Sequence, residues 1–143
     1  MRTLGFLVAV ALLLAGSAEP VAADPSPGKL GHAGRWLTDA HGRVVLLHGF
    51  NLVAKSAPYT PASVGFDDDD AAFLASEGFN TVRVGVIYNA VEPEPGRYDD
   101  AYLDSIAQTV AALRAHGIYA LLDFHQDMYT ERYSGQGFPD WAL

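Results

Sequence analysis

Not one cysteine occurs in the 143 residues. A disulfide, a thiolate nucleophile and a cysteine-ligated zinc are therefore all excluded. Positive charge is scarce as well. Lys and Arg number 9 against 17 Asp and Glu, a net charge of −8, and an acidic surface of that size argues against nucleic acid as a partner. The one uninterrupted apolar segment, residues 4–15, is shorter than the roughly 20 residues needed to cross a bilayer. A doubly wound open sheet is the structural alternative to a barrel, but the Gly-x-Gly-x-x-Gly turn expected after its first strand is missing.

What is present begins with a targeting pattern. Met1-Arg2, the apolar segment and the small residues Val21-Ala22-Ala23 have the order of a secretory signal peptide over residues 1–23. The expectation is a secreted, extracellular protein with no stable membrane insertion after cleavage. Removing that segment takes away Arg2 and Glu19 together and leaves the net charge at −8. Residues 24–30, with Pro25 and Pro27, form a proline-rich leader, too polar and stiff to pack and expected as an extended tether.

Three stretches share one pattern, an apolar run whose far end turns polar. They are Arg43-Val44-Val45-Leu46-Leu47-His48-Gly49-Phe50-Asn51, Asn80-Thr81-Val82-Arg83-Val84-Gly85-Val86, and Gly117-Ile118-Tyr119-Ala120-Leu121-Leu122-Asp123-Phe124-His125-Gln126-Asp127. Runs of this kind read as strands of a parallel sheet buried on both faces. In an α/β barrel the residues at their carboxyl ends face the active site. Ahead of the first run, Trp36 and Leu37 alternate around Asp39-Ala40-His41-Gly42, which predicts a hairpin.

Between the strands lie two helical patterns. Asp67-Asp68-Asp69-Asp70 precedes Ala71, Phe73 and Leu74. Carboxylates at a helix start satisfy unpaired amides and oppose the positive end of the dipole, a capping role preferred here to an acidic metal site. Gly78 is the natural left-handed stop. Asp99-Asp100 opens a second helix with Leu103, Ile106, Ala107, Val110 and Leu113 at helical spacing, ending at His116-Gly117. The stretches 51–63 and 88–98, each with two prolines, are predicted to be loops at strand carboxyl ends.

Strand starts about 37 residues apart suit βα units with crossover connections. The fold class predicted is α/β, the amino-terminal portion of a (β/α)8 barrel with about three βα units and a leading hairpin. A closed barrel takes eight strands and about 250 residues. Residues 31–143 are therefore expected to be an incomplete barrel, with apolar sheet edges left unpaired.

Arg83 lies between Val82 and Val84 inside a strand. A buried guanidinium needs a carboxylate or several acceptors facing it. His125 shares a strand face with Asp123 and Leu121. The residues alone leave it open between a hydrogen-bonded core histidine and a member of a site, with metal ligation by His125 and Asp127 the least favoured reading. Lys55, read the same way, is either a solvated loop lysine or a ligand-binding group. Trp141 and Tyr133 could pack in the core or stack on sugar rings.

Taken together, the Asp-x-x-Gly turn, Gly49-Phe50-Asn51, Asn80-Thr81-Val82-Arg83, Pro95-Gly96-x-Tyr98-Asp99 and Leu122-Asp123-Phe124-His125 resemble the first third of a glycoside hydrolase family 5 catalytic barrel. Asn51-Leu52-Val53-Ala54-Lys55, Pro58-Tyr59, His125-Gln126-Asp127 and Gly135-x-Gly137-Phe138-Pro139-x-Trp141 are similar to its endoglycoceramidase branch. The resemblance implies a carbohydrate or glycolipid substrate, no cofactor and no metal. It implies that Arg83 orients the nucleophilic carboxylate and that His125 lines the subsite at the scissile bond. Lys55 and Asp127, with His125, would bind sugar hydroxyls. The family's two glutamates, an acid/base and a nucleophile about 5–5.5 Å apart in retaining enzymes, follow strands four and seven. Neither strand is expected in these residues, and Glu92, Glu94 and Glu131 do not match the catalytic motif. This chain alone is thus expected to be inactive. A cellulase-like polysaccharide hydrolase and a non-catalytic, truncated sugar-binding protein are the alternatives.

Overall fold

The computed structural model describes residues 26–143; the expected signal peptide lies outside them. Five strands and three helices run in the order β1 (Gly31–Ala33), β2 (Trp36–Thr38), β3 (Gly49–Leu52), α1 (Asp68–Ser76), β4 (Thr81–Ile87), α2 (Tyr88–Val91), α3 (Asp100–Ala115) and β5 (Tyr119–His125). β1 and β2 make a small antiparallel hairpin. β3, β4 and β5 form one parallel sheet with β4 in the middle, the alternation of strand and helix that the spacing predicts.

The helix ends follow the sequence chemistry closely. Asp67 accepts hydrogen bonds from the Asp69 and Asp70 amides at 3.0 and 3.2 Å, and the Asp70 carboxylate accepts the Asp67 amide at 3.1 Å. This reciprocal capping box starts α1. Past its end, Gly78 takes φ +82°. Asp99 caps α3 through the Tyr102 amide at 2.9 Å, and a 2.9 Å contact between His116 Nε2 and Asp68 Oδ1 ties the end of α3 to the start of α1.

One face of the sheet packs on these helices. Val82, Val84 and Val86 alternate onto it from β4 and meet Leu52, Ala71, Ile106, Leu113 and Ile118. Each fully buried aliphatic side chain of this kind stabilises the fold by about 1.5–3 kcal/mol. On α3 the buried stripe is Tyr102, Ile106, Thr109 and Leu113, turned away from the Leu103 and Ala107 side that the apolar spacing favours. Polar tips do not stop Tyr102 and Thr109 from being buried, because the Tyr102 hydroxyl accepts the Ile87 amide at 3.0 Å and the Thr109 hydroxyl donates to the Ser105 carbonyl. Phe73 of α1 is exposed rather than core.

Four further expectations are corrected. The first parallel strand begins at Gly49, not Arg43. Asn80 explains the delay, since its amide group donates to the Leu46 carbonyl at 2.9 Å and accepts the His48 amide at 2.7 Å, taking the place of a ladder. The predicted hairpin around the Asp39 turn is reduced to a bridge between Thr38 and Val44, with the turn closed by Asp39 accepting from the His41 and Arg43 amides. The stretch after β4 is not all loop, since it opens with the single turn of α2. Finally, β5 is not buried on both faces. Leu121, Leu122 and Phe124 are 53%, 57% and 63% exposed, because among the described residues no strand pairs with its outer edge. The leader residues described touch the body, with Tyr119 donating to the Gly28 carbonyl at 2.8 Å and Arg114 to the Ser26 hydroxyl at 3.1 Å. Among the described residues no helix is long and apolar enough to cross a membrane.

Candidate active site

The polar side chains gather at the carboxyl ends of β3, β4 and β5. Register decides which of them meet. Asn51 lies opposite Arg83 and Arg83 opposite Leu121, while Asp123 lies opposite Gly85 and His125 opposite Ile87. Side chains two apart share a strand face, so Arg83, Asp123 and His125 stand on one side of the sheet. Gly85 carries no side chain between them, and a Cβ there would meet Val53 at 2.9 Å. The arginine can therefore cross diagonally to its neighbour's aspartate.

The result is a continuous ladder in which two carboxylates alternate with a guanidinium, an imidazole and an ammonium group. Arg83 Nη2 pairs with Asp123 Oδ2 at 2.6 Å. The same oxygen meets His125 Nδ1 at 2.8 Å. His125 Nε2 faces Asp127 Oδ2 at 3.2 Å, and Asp127 pairs in turn with Lys55. Arg83 also donates to Asn51 Oδ1 at 3.4 Å. The expected acidic partner of the arginine is thus present, although the Arg83 side chain is 37% exposed rather than buried. All four residues singled out from the sequence, Lys55, Arg83, His125 and Asp127, belong to this ladder.

Asp127 is the most heavily held member. Hydrogen bonds from Lys55 first, then Gln136 and His125, keep its carboxyl well below the usual aspartate range. Gln136 is a site residue that sequence reasoning missed. Its Nε2 donates to Asp127 Oδ2 at 2.8 Å, and the two backbones exchange hydrogen bonds at 2.9 and 3.0 Å. Gly135 makes that bridge possible, because any side chain there would collide with the Asp127 carbonyl. The loop also holds Met128 and Tyr129 at φ +49° and +76°, left-handed conformations that cost non-glycine residues about 1 kcal/mol or more each. Asp123 was the other omission, and its signal was available. It is the polar residue two before His125 on the same strand face.

The remaining candidates lie apart from the ladder. Trp141 donates its indole N–H to the Glu92 carbonyl at 3.1 Å and meets Tyr88 edge-on at 5.8 Å, while Tyr133 is exposed. The buried Glu92 carboxylate accepts the Tyr88 hydroxyl and the Gly96 amide, and Glu94 pairs with Arg97. Burial, and then Glu92, raises the Tyr88 phenol. Among the described residues no three or more His, Asp or Glu side chains are grouped to hold a metal ion. Two hollows, of about 380 Å³ beside Tyr59 and Tyr102 and about 450 Å³ beside Arg132 and Trp141, are lined by none of the ladder residues. At the outer end of the ladder the Lys55 and Asp127 side chains are open to solvent, 61% and 43% exposed.

Residues 38–141 match the family model described as cellulase (glycosyl hydrolase family 5). The chain belongs to glycosyl hydrolase family 5. Within the family it is similar to endoglycoceramidase I of Rhodococcus hoagii (strain 103S), 47% identical over 110 residues, which make up 77% of this chain and 22% of that protein. The structure of endo-glycoceramidase II from Rhodococcus sp. with a five-membered iminocyclitol superposes with TM-score 0.65 at 36% identity, over 75% of this chain and 25% of that one. The same enzyme in its ganglioside GM3 complex superposes at 0.62 with 37% identity, over 75% and 27%. The chain therefore spans about a quarter or less of the length of these family 5 relatives, and its β3–β4–β5 sheet with α1 and α3 is part of their α/β barrel.

Proposed function

We propose that this chain forms one wall of the glycan cleft of an exported retaining glycoside hydrolase that cleaves the β-glycosidic bond of a glycolipid. The observation that carries the reading is the Arg83–Asp123–His125–Asp127–Lys55 ladder at the carboxyl ends of three parallel strands, the end at which barrel enzymes build their sites. In this reading Arg83 hydrogen-bonds and orients the nucleophilic carboxylate, keeping it ionised. His125 lines the subsite at the scissile bond. Lys55 and Asp127 bind sugar hydroxyls, the lysine as donor and the carboxylate as acceptor.

The acid/base and nucleophile are assigned to glutamates after the fourth and seventh strands, beyond residues 1–143. Supporting this, both Glu92 oxygens are engaged by Tyr88 and Gly96, and Glu94 pairs with Arg97. The similarity to proteins named endoglycoceramidase, one of them bound to a ganglioside, favours a glycolipid over cellulose. Export rests on the charged start, apolar segment and small residues of the first 23 positions.

The test compares the full-length gene product with residues 24–143 alone, on GM3 ganglioside and on carboxymethylcellulose. Release of the intact oligosaccharide with retained anomeric configuration, by the full-length product only, is the expected result. Turnover by residues 24–143 alone would overturn the assignment of the glutamates, and cleavage of cellulose without ganglioside would overturn the substrate.

A further inference from the structure

We infer that Asp123 is a positioning residue for this site, fixing both the proton on His125 Nδ1 and the direction of the Arg83 guanidinium. The inference rests on the proposed glycosidase reading for its catalytic consequence, but not for its geometry. One oxygen, Asp123 Oδ2, lies 2.6 Å from Arg83 Nη2 and 2.8 Å from His125 Nδ1. An ionised carboxylate only accepts hydrogen bonds, so the imidazole nitrogen facing it is held as a donor. His125 Nε2 faces a second carboxylate, Asp127, at the longer distance of 3.2 Å, and Asp127 also accepts from Lys55 and Gln136. Nε2 is accordingly the nitrogen whose partner can change when a sugar hydroxyl arrives, while Nδ1 stays fixed.

The same oxygen aims the arginine. A guanidinium has five N–H donors, and Asp123 and Asn51 engage two of them. Both partners flank the guanidinium within the sheet, Asn51 from β3 and Asp123 from β5, and so hold its plane across the strands. The Asp123 side chain is only 20% exposed. Arg83 and His125 lie on different strands, and Asp123 Oδ2 contacts both. Losing it would let each adopt a different orientation, and misplacement by about 1 Å can cost a hundredfold in rate.

The experiment uses the full-length gene product with 15N-labelled histidine, the His125 signals being assigned by their loss in His125→Gln. In the wild type the Nδ1 signal should report the protonated form. Asp123→Ala should move the Nδ1 signal away from the protonated form and lower kcat on an aryl β-glycoside about tenfold to a hundredfold, with KM changed far less. Asp123→Asn keeps an oxygen at the same place and should fall between the two in both readings. Wild-type nitrogen signals in Asp123→Ala, or a raised KM at unchanged kcat, would overturn the proposal. Should the alanine variant fail to fold, Asp123→Asn decides by the same two measurements. A wild type that cleaves no glycoside would refute the glycosidase reading, and the nitrogen signals would still decide the role of Asp123.

Discussion

Arg83 Nη2 and Asp123 Oδ2 meet at 2.6 Å across a position where the intervening strand residue, Gly85, has no side chain. A charged pair joined diagonally over a gap in the sheet depends on the fork shape of the guanidinium as well as on its charge. Arg83→Lys should therefore behave almost as badly as Arg83→Ala. On an aryl β-glycoside the expected loss in kcat/KM is about a hundredfold for either variant, the size seen when one preorganised donor is removed from a site. A lysine variant with nearly wild-type rate would mean that charge alone suffices.

Lys55 stands at the far end of the same ladder and contacts Asp127. If the lysine binds a sugar hydroxyl in substrate and transition state alike, Lys55→Met raises KM and leaves kcat almost unchanged. The expected rise is about tenfold or more, the worth of a hydrogen bond to a charged group. Steady-state kinetics on the full-length product separates the two parameters.

The acid side of the pH range offers a third check. Lys55, Gln136 and His125 hold the Asp127 carboxyl below its usual range. A depressed value means that the pairing is at full strength above about pH 4, where a free aspartate ionises, and is lost only as pH falls through the lowered value. Carbon-13 titration should find the Asp127 carboxylate still ionised at a pH where a free aspartate is protonated. Gln136→Leu should move that titration upward.

Stability can be read at the start of α1. Asp67 serves two amides and receives one bond back from Asp70. Asp67→Ala should cost about 1 kcal/mol, while Asp69→Ala, whose carboxylate takes no part in the box, should cost much less. Chemical denaturation of the two variants distinguishes a cap from a mere acidic cluster.

Much of this architecture is legible in the sequence because local chemistry and the final fold agree. The aspartates before Ala71, the glycine at position 78 and the polar end of β5 each predict what is found, whereas β4 ends on the buried pair Val86 and Ile87. The misses share a physical reason, which is that a partner far along the chain decides the outcome. Asn80 reaches back 34 residues to Leu46 and so delays β3. Tyr102 is buried by virtue of the Ile87 amide, 15 residues earlier. Lys55 and Asp127, 72 residues apart, can be suspected singly from a resemblance, but their contact follows only from the strand register. Gln136 was invisible for the same reason, being fixed by a loop that folds back on Asp127.

The Asn80 side chain leaves one further mark. The His48 amide is shielded by a rotatable carboxamide rather than by a neighbouring backbone, whereas Asn51 and Leu52 sit in a true ladder. Deuterium should therefore reach His48 whenever that carboxamide swings aside, with a rate insensitive to denaturant, while the Val84 amide waits for the sheet itself to open. Two amides of neighbouring chain segments would then keep separate clocks, one for a side-chain rotation and one for global unfolding.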